Sequence, residues 1–106
     1  MQIKKISDSF LFSSEKMKKN NLFETKNFFC DIYCLQPSQE QTVHSHSDSD
    51  KFYYILKGTG FFHVDGEERN VSEGNIVFCP SACNHGVKNI STKNLILMVV
   101  MAPVPK

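Results

Sequence analysis

Apolar and polar residues alternate along most of this chain in short runs, punctuated by glycine, proline and asparagine. Phe28 to Gln36 alternates, is rich in β-forming residues and stops at Pro37, which predicts a strand. The same reading predicts strands over Thr42 to His46, Lys51 to Leu56, Phe61 to Val64, Glu68 to Val71, Ile76 to Cys79, Val87 to Ile90 and Leu95 to Met101. Asp65-Gly66 is a hairpin signal, because this pair tolerates the positive φ angles of a tight turn. Ser72 to Asn75 and Ser91 to Asn94 read as further turns. The first 27 residues are polar with scattered apolar positions, and Ser13 to Asn20 predicts one helical turn capped by Ser13 or Ser14. Many short strands, close turns and no sustained helical period define an all-β sandwich or barrel.

At 106 residues the chain suits one domain with a single core. Its formal net charge of +1 gives no electrostatic reason to expect nucleic acid or an acidic membrane as a partner. Lys16, Lys18 and Lys19 read as a solvated face, since no second basic cluster or aromatic platform accompanies them. The longest apolar run, Leu95 to Ala102, is too short to span a bilayer, and the N-terminus carries no apolar signal segment, so a soluble, cytoplasmic protein is expected. Cys30, Cys34, Cys79 and Cys83 match neither a zinc motif nor a secreted disulfide framework and are expected as reduced thiols. Cys30 and Cys34 share a strand face with Ile32 and should pack as small hydrophobes. Cys83, two residues before a histidine, could approach a site as ligand or nucleophile.

The chemistry concentrates in two stretches. In the first, His44 and His46 project from one side of an extended segment, about 7 Å apart along the chain, which is ligand spacing. In the second, a strand closed by Pro80 is followed by a turn that returns His85. The first stretch resembles the cupin motif G-x5-H-x-H-x4-E-x6-G, with Ser38 at the first glycine, His44 and His46 in register, Lys51 at the glutamate and Gly58 at the last glycine. The second is similar to G-x5-P-x-G-x2-H-x3-N through Gly74, Pro80, Ala82 in place of glycine, His85 and Asn89.

That resemblance implies a cupin double-stranded β-helix, a jelly-roll barrel of two antiparallel sheets, formed by residues 28–106 with residues 1–27 packing on or extending it. It also implies that His44, His46 and His85 converge near one mouth as ligands for zinc, iron, nickel or copper. His63 matches no motif position and reads as an ordinary strand or interface residue. Dioxygenase- or isomerase-like chemistry on a small oxygen-rich or anionic substrate follows by resemblance, with catalysis itself left open.

Lys51 departs from the pattern. Alternation places it with Tyr53 and Ile55 on one face, whereas Asp50 could supply the missing carboxylate only through a bulge. A charged lysine about 4 Å from a divalent ion is repelled by roughly 8 kcal/mol at an effective dielectric of about 20. Deprotonating it at neutral pH costs about 5 kcal/mol. Three arrangements remain: the ammonium swings away to water, it is neutral beside a metal, or it binds an anion with no metal present. The expectation is the first, with Lys51 and Tyr53 as substrate contacts. The last arrangement corresponds to a non-catalytic pocket for a sugar or carboxylate. Finally, Phe10, Phe12, Phe61 and Phe62 exceed what a small barrel buries easily, and a homodimer is expected.

Overall fold

The computed structural model describes residues 1–105. Nine strands follow a short 3-10 turn at Ile6–Ser9: β1 Lys18–Glu24, β2 Phe29–Leu35, β3 Glu40–His44, β4 Asp50–Lys57, β5 Thr59–Val64, β6 Glu67–Ser72, β7 Ile76–Cys79, β8 His85–Lys88 and β9 Leu95–Ala102. They form two facing sheets, β1-β2-β9-β4-β7 and β3-β8-β5-β6, with every pairing antiparallel. This is the jelly-roll barrel.

Strand alternation builds two apolar layers. Tyr33 and Leu35 of β2, Leu95, Leu97 and Val99 of β9, and Tyr53 and Ile55 of β4 point inward and meet Phe62 and Val87 of the opposite sheet. The intervening residues Cys30, Ile32, Cys34 and Ile96 point outward. They are not exposed, because the N-terminal segment lies over them: Leu22 joins their cluster, and Phe10, Phe12 and Phe23 pack against it. Asn20 fastens the cover by donating to the carbonyls of Ser9 (2.9 Å) and Leu11 (3.1 Å). Cys30 and Cys34 thus pack as expected, in a layer on the outer face of the sheet.

Two expectations change. The helical turn over Ser13 to Asn20 is absent; β1 begins at Lys18 and pairs with β2, Lys19 opposite Tyr33. Burial explains this, since Met17 belongs to the inner layer and Leu22 to the outer one, and an extended segment reaches both. The aromatic residues expected at the surface are largely covered: Phe62 is in the core, and Phe10 and Phe12 close the outer layer. A bare apolar patch lies instead on the outer face of β4 and the edge strand β7, where Tyr54 pairs with Ile76 beside Phe78.

The glycine positions of the two sequence motifs have a common backbone cause. Gly58 and Gly74 have φ of 86° and 85°, and Ser38 and Ala82, which stand where the pattern has glycine, also take positive φ, 76° and 68°. The turns persist here without glycine, at a steric cost to each residue of about 1–2 kcal/mol. Asn89, fully buried, ties the barrel end together by donating to the carbonyls of Leu35 and Lys93.

Candidate metal centre

Three strands and one loop position the site. Between Gln41 and His44 the register of β3 against β8 slips, so Thr42 and Val43 of β3 together oppose Gly86 of β8. The slip puts Gln41 and His44 on the same, inner side, although their odd spacing would separate them in a regular strand. Gly86 makes it possible: a Cβ there would stand 2.7 Å from the Gln41 carbonyl oxygen and 2.9 Å from the Val43 nitrogen. His44 pairs with His85, and His46 follows in the loop past the end of β3. Ring centroids lie 4.5 Å apart for His44 and His85, 4.8 Å for His44 and His46, and 5.7 Å for His46 and His85. One ring nitrogen from each of the three falls within 4.8 Å of the others.

The tautomers follow from the partners. Nδ1 of His44 is 2.7 Å from the Thr42 carbonyl, and Nδ1 of His85 is 3.2 Å from the Cys83 carbonyl. A carbonyl only accepts, so both Nδ1 atoms carry the proton and leave the Nε2 lone pairs free. Burial lowers the pKa of all three imidazoles, His85 to about 4, with the Lys51 charge adding to the effect. Three neutral imidazoles, two of them anchored through backbone, are a donor set that fits a divalent transition metal.

Lys51 does not reach for water. It is 2 % exposed, and its Nζ donates to Gln41 Oε1 at 3.2 Å and faces His85 Nε2 at 3.5 Å. The ammonium expected to swing away instead points into the barrel, because regular pairing of β4 with β9 and β7 fixes its inward direction. Nζ also lies 4.6 Å from the Tyr53 ring centroid and 5.5 Å from that of Tyr33. Burial is the main cause of a pKa lowered to about 7, and the charge of Lys19 adds to it. Near neutral pH the amine therefore exchanges between charged and neutral forms.

Tyr53 is buried beneath Lys51, and its hydroxyl donates to the same Gln41 oxygen at 2.5 Å. Gln41 is thus the hub of the inner polar cluster, and sequence alternation missed it. Asp50 stays outside: no register shift occurs there, the residue is exposed, and its carboxylate accepts from the Ser81 amide at 2.9 Å. Cys83 does approach the site, its Sγ 3.7 Å from His85 Nδ1, and Cys79 joins it to make a second donor trio with His85. Burial pushes both thiols up, Cys79 to about 12, which keeps them protonated and packed behind the imidazole. His63 stands opposite Gly86 on the neighbouring strand but outside the trio, held on the β5–β6 hairpin by Glu68 and the Gly66 amide.

Above His44 and His46 opens a cavity of about 870 Å³. Lys16, Lys18 and Lys19 line its mouth. These residues are solvated, as expected, yet the pairing of β1 with β2 sets them beside the site rather than on an unrelated face.

The barrel, its ordered motifs and the histidine cluster define a class, and comparison with known proteins agrees: the cupin domain family matches residues 31–101. The chain belongs to that family. It is 39% identical to TT1209 from Thermus thermophilus, whose crystal structure superposes with a TM-score of 0.96 over 99% of this chain and 100% of that one. A 5-nitrosalicylic acid 1,2-dioxygenase from Bradyrhizobium sp. is 30% identical over 76 residues, 72% of this chain and 36% of that protein. An oxalate-binding protein from Thermotoga maritima is 30% identical over 67 residues, 63% of this chain and 55% of that protein. The chain thus spans between about a third and about half the length of these two curated relatives.

Proposed function

We propose that this chain is a metal-binding cupin in which His44, His46 and His85 hold a divalent transition ion, and that the cavity above them receives a small oxygen-rich or anionic molecule. The observation that carries the reading is the convergence of three neutral imidazoles, two of which, His44 and His46, line an open cavity, with Nδ1 of His44 and His85 committed to backbone carbonyls. Zinc, iron, nickel or copper suits such a nitrogen set. When bound, the ion would supply Lewis acidity toward a carbonyl or carboxylate oxygen, or a centre for oxygen chemistry of the dioxygenase or isomerase kind.

The chain's own residues would do the rest. Gln41 fixes Lys51 and Tyr53 through one oxygen, which takes the single hydroxyl proton of Tyr53 and leaves the lysine as the group that can still donate to whatever enters. Lys51 can hold an anionic oxygen when charged and accept a proton when neutral, a balance that its pKa of about 7 makes available. The rings of Tyr33 and Tyr53 lie against its amine. The names of the two relatives, one for a nitrosalicylic acid and one for oxalate, both concern carboxylates, which supports an acidic small molecule as ligand.

A second reading keeps the pocket and drops the ion. Lys51 Nζ stands 3.5 Å from His85 Nε2, so a protonated amine could occupy the place of a cation and bind a carboxylate or sugar without catalysis. Elemental analysis of untagged protein by inductively coupled plasma mass spectrometry separates the two. Near-stoichiometric metal that disappears when His44, His46 and His85 are changed to alanine supports the first; a chain that stays metal-free after incubation with all four ions overturns it and leaves the second. The reading includes a homodimer formed through the bare face around Tyr54, Ile76 and Phe78. It also includes a reducing compartment, the cytoplasm, in keeping with four free thiols.

A further inference from the structure

The charge around the cavity is one-sided. Among the described residues four lysines line it, Lys16, Lys18 and Lys19 at the mouth and Lys51 inside, against one acid, Glu40. Glu40 is engaged elsewhere, its carboxylate 3.7 Å from Lys88 Nζ. The lysines fall into two levels about one ring: Nζ of Lys19 lies 5.4 Å from the centroid of Tyr33, and Nζ of Lys51 lies 5.5 Å from the same centroid. The same lining carries apolar surface from Met17, Phe29 and Met101.

We propose that β1 builds a second anion-holding subsite at the cavity mouth, centred on Lys19 with Lys16 and Lys18, so that the ligand is a small organic dicarboxylate held at both ends. Its inner carboxylate meets Lys51 and the histidine centre, its outer carboxylate meets the β1 lysines, and its hydrocarbon middle lies against Tyr33, Met17 and Phe29. The inner half of this assignment rests on the metal-centre reading; the outer half does not. A monoanion leaves one level of positive charge uncompensated, whereas a dianion answers both. The exposed mouth lysines also draw anions from solution, so the preference weakens with salt.

The test compares succinate with butyrate, which share a four-carbon chain and differ by one carboxylate. Titration calorimetry is run at low and high sodium chloride on the zinc-incubated chain, with zinc content measured on the same samples. The expected result is succinate binding at least tenfold more tightly than butyrate at low salt. Changing Lys16, Lys18 and Lys19 together to glutamine should reduce that ratio to near one with zinc content unchanged. Changing Lys57 and Lys93 to glutamine, which removes exposed charge away from the cavity, should leave the ratio intact. Equal affinity for the two acids, or a preference that survives the triple glutamine variant, overturns the subsite. A chain that takes up no zinc overturns the metal centre alone, and a succinate preference that still depends on the β1 lysines then upholds the subsite.

Discussion

Lys51 Nζ faces His85 Nε2 across 3.5 Å inside the barrel, where the related motif carries a glutamate. Because Nδ1 of His85 is committed to the Cys83 carbonyl, Nε2 is an acceptor and the lysine is its donor. The lysine therefore competes for that lone pair with any ion that binds there. That competition makes the site's metal affinity depend on the lysine.

Replacing Lys51 with glutamate should tighten zinc binding tenfold or more, a gain of about 1.4 kcal/mol or above. The change removes a like charge and offers an oxygen donor at the same inward position, beside the Gln41 side chain. Competition against a calibrated chelator measures the effect. Equal or weaker affinity in the variant would show that the amine does not oppose the ion.

Stability should rise with pH on account of the same residue. The folded-state pKa of about 7 lies below the ordinary lysine value of 10.5, so above pH 7 the unfolded chain binds more protons than the folded one. The penalty for burying the ammonium is full below pH 7, shrinks as pH climbs, and amounts to roughly 5 kcal/mol at its largest. Lys51→Met should therefore be more stable than the native chain at pH 6, with the difference narrowing by pH 9. Above pH 9 the raised thiol of Cys79 acts in the opposite sense, so urea titrations between pH 6 and 9 give the clean window. A difference that stays flat across that range would contradict the burial of charge.

Gly86→Ala should damage the site more than its size suggests. The added methyl meets backbone of β3 at 2.7–3.0 Å, which cannot move aside without undoing the register slip. A loss of about 1–3 kcal/mol in stability is expected, together with weakened metal binding, because Gln41 and His44 lose their common face. Denaturation and elemental analysis on the same preparation test both; normal metal content would show that the slip survives without glycine.

The bare face of β4 and β7 predicts the quaternary state. Ile76 and Phe78 are each about three-fifths exposed on an edge strand of four residues. Phe78→Lys should convert a dimer to a monomer in sedimentation velocity at micromolar concentration while leaving metal content unchanged. A native chain that sediments as a monomer refutes the interface.

Much of the barrel was legible because its strands are regular where the pattern is regular. Lys51, Tyr53 and Ile55 fell on the inner face, as alternation required, since β4 pairs without interruption from Asp50 to Ile55. The histidine trio was legible through two spaced motifs. Gln41 was not, because a bulge reverses the parity of β3 and no residue in that strand announces it; the signal lies in Gly86, on the partner strand. Lys51's direction was misjudged by weighing its affinity for water above the constraint of a central strand flanked on both sides. The mouth lysines were legible as a cluster but not as part of the site, since their place depends on β1 docking beside Tyr33, a contact between segments that local pattern does not encode.

That docking has a consequence for how such a protein can change. The stretch recognised as the cupin domain begins at residue 31, after β1, whereas every histidine lies within it. β1 is an outermost strand, joined to the barrel by one neighbour alone. The histidine cluster and the lysines at the mouth of the cavity are thus carried by separable pieces of chain, so exchanging the edge strand would remake the mouth without disturbing the histidines.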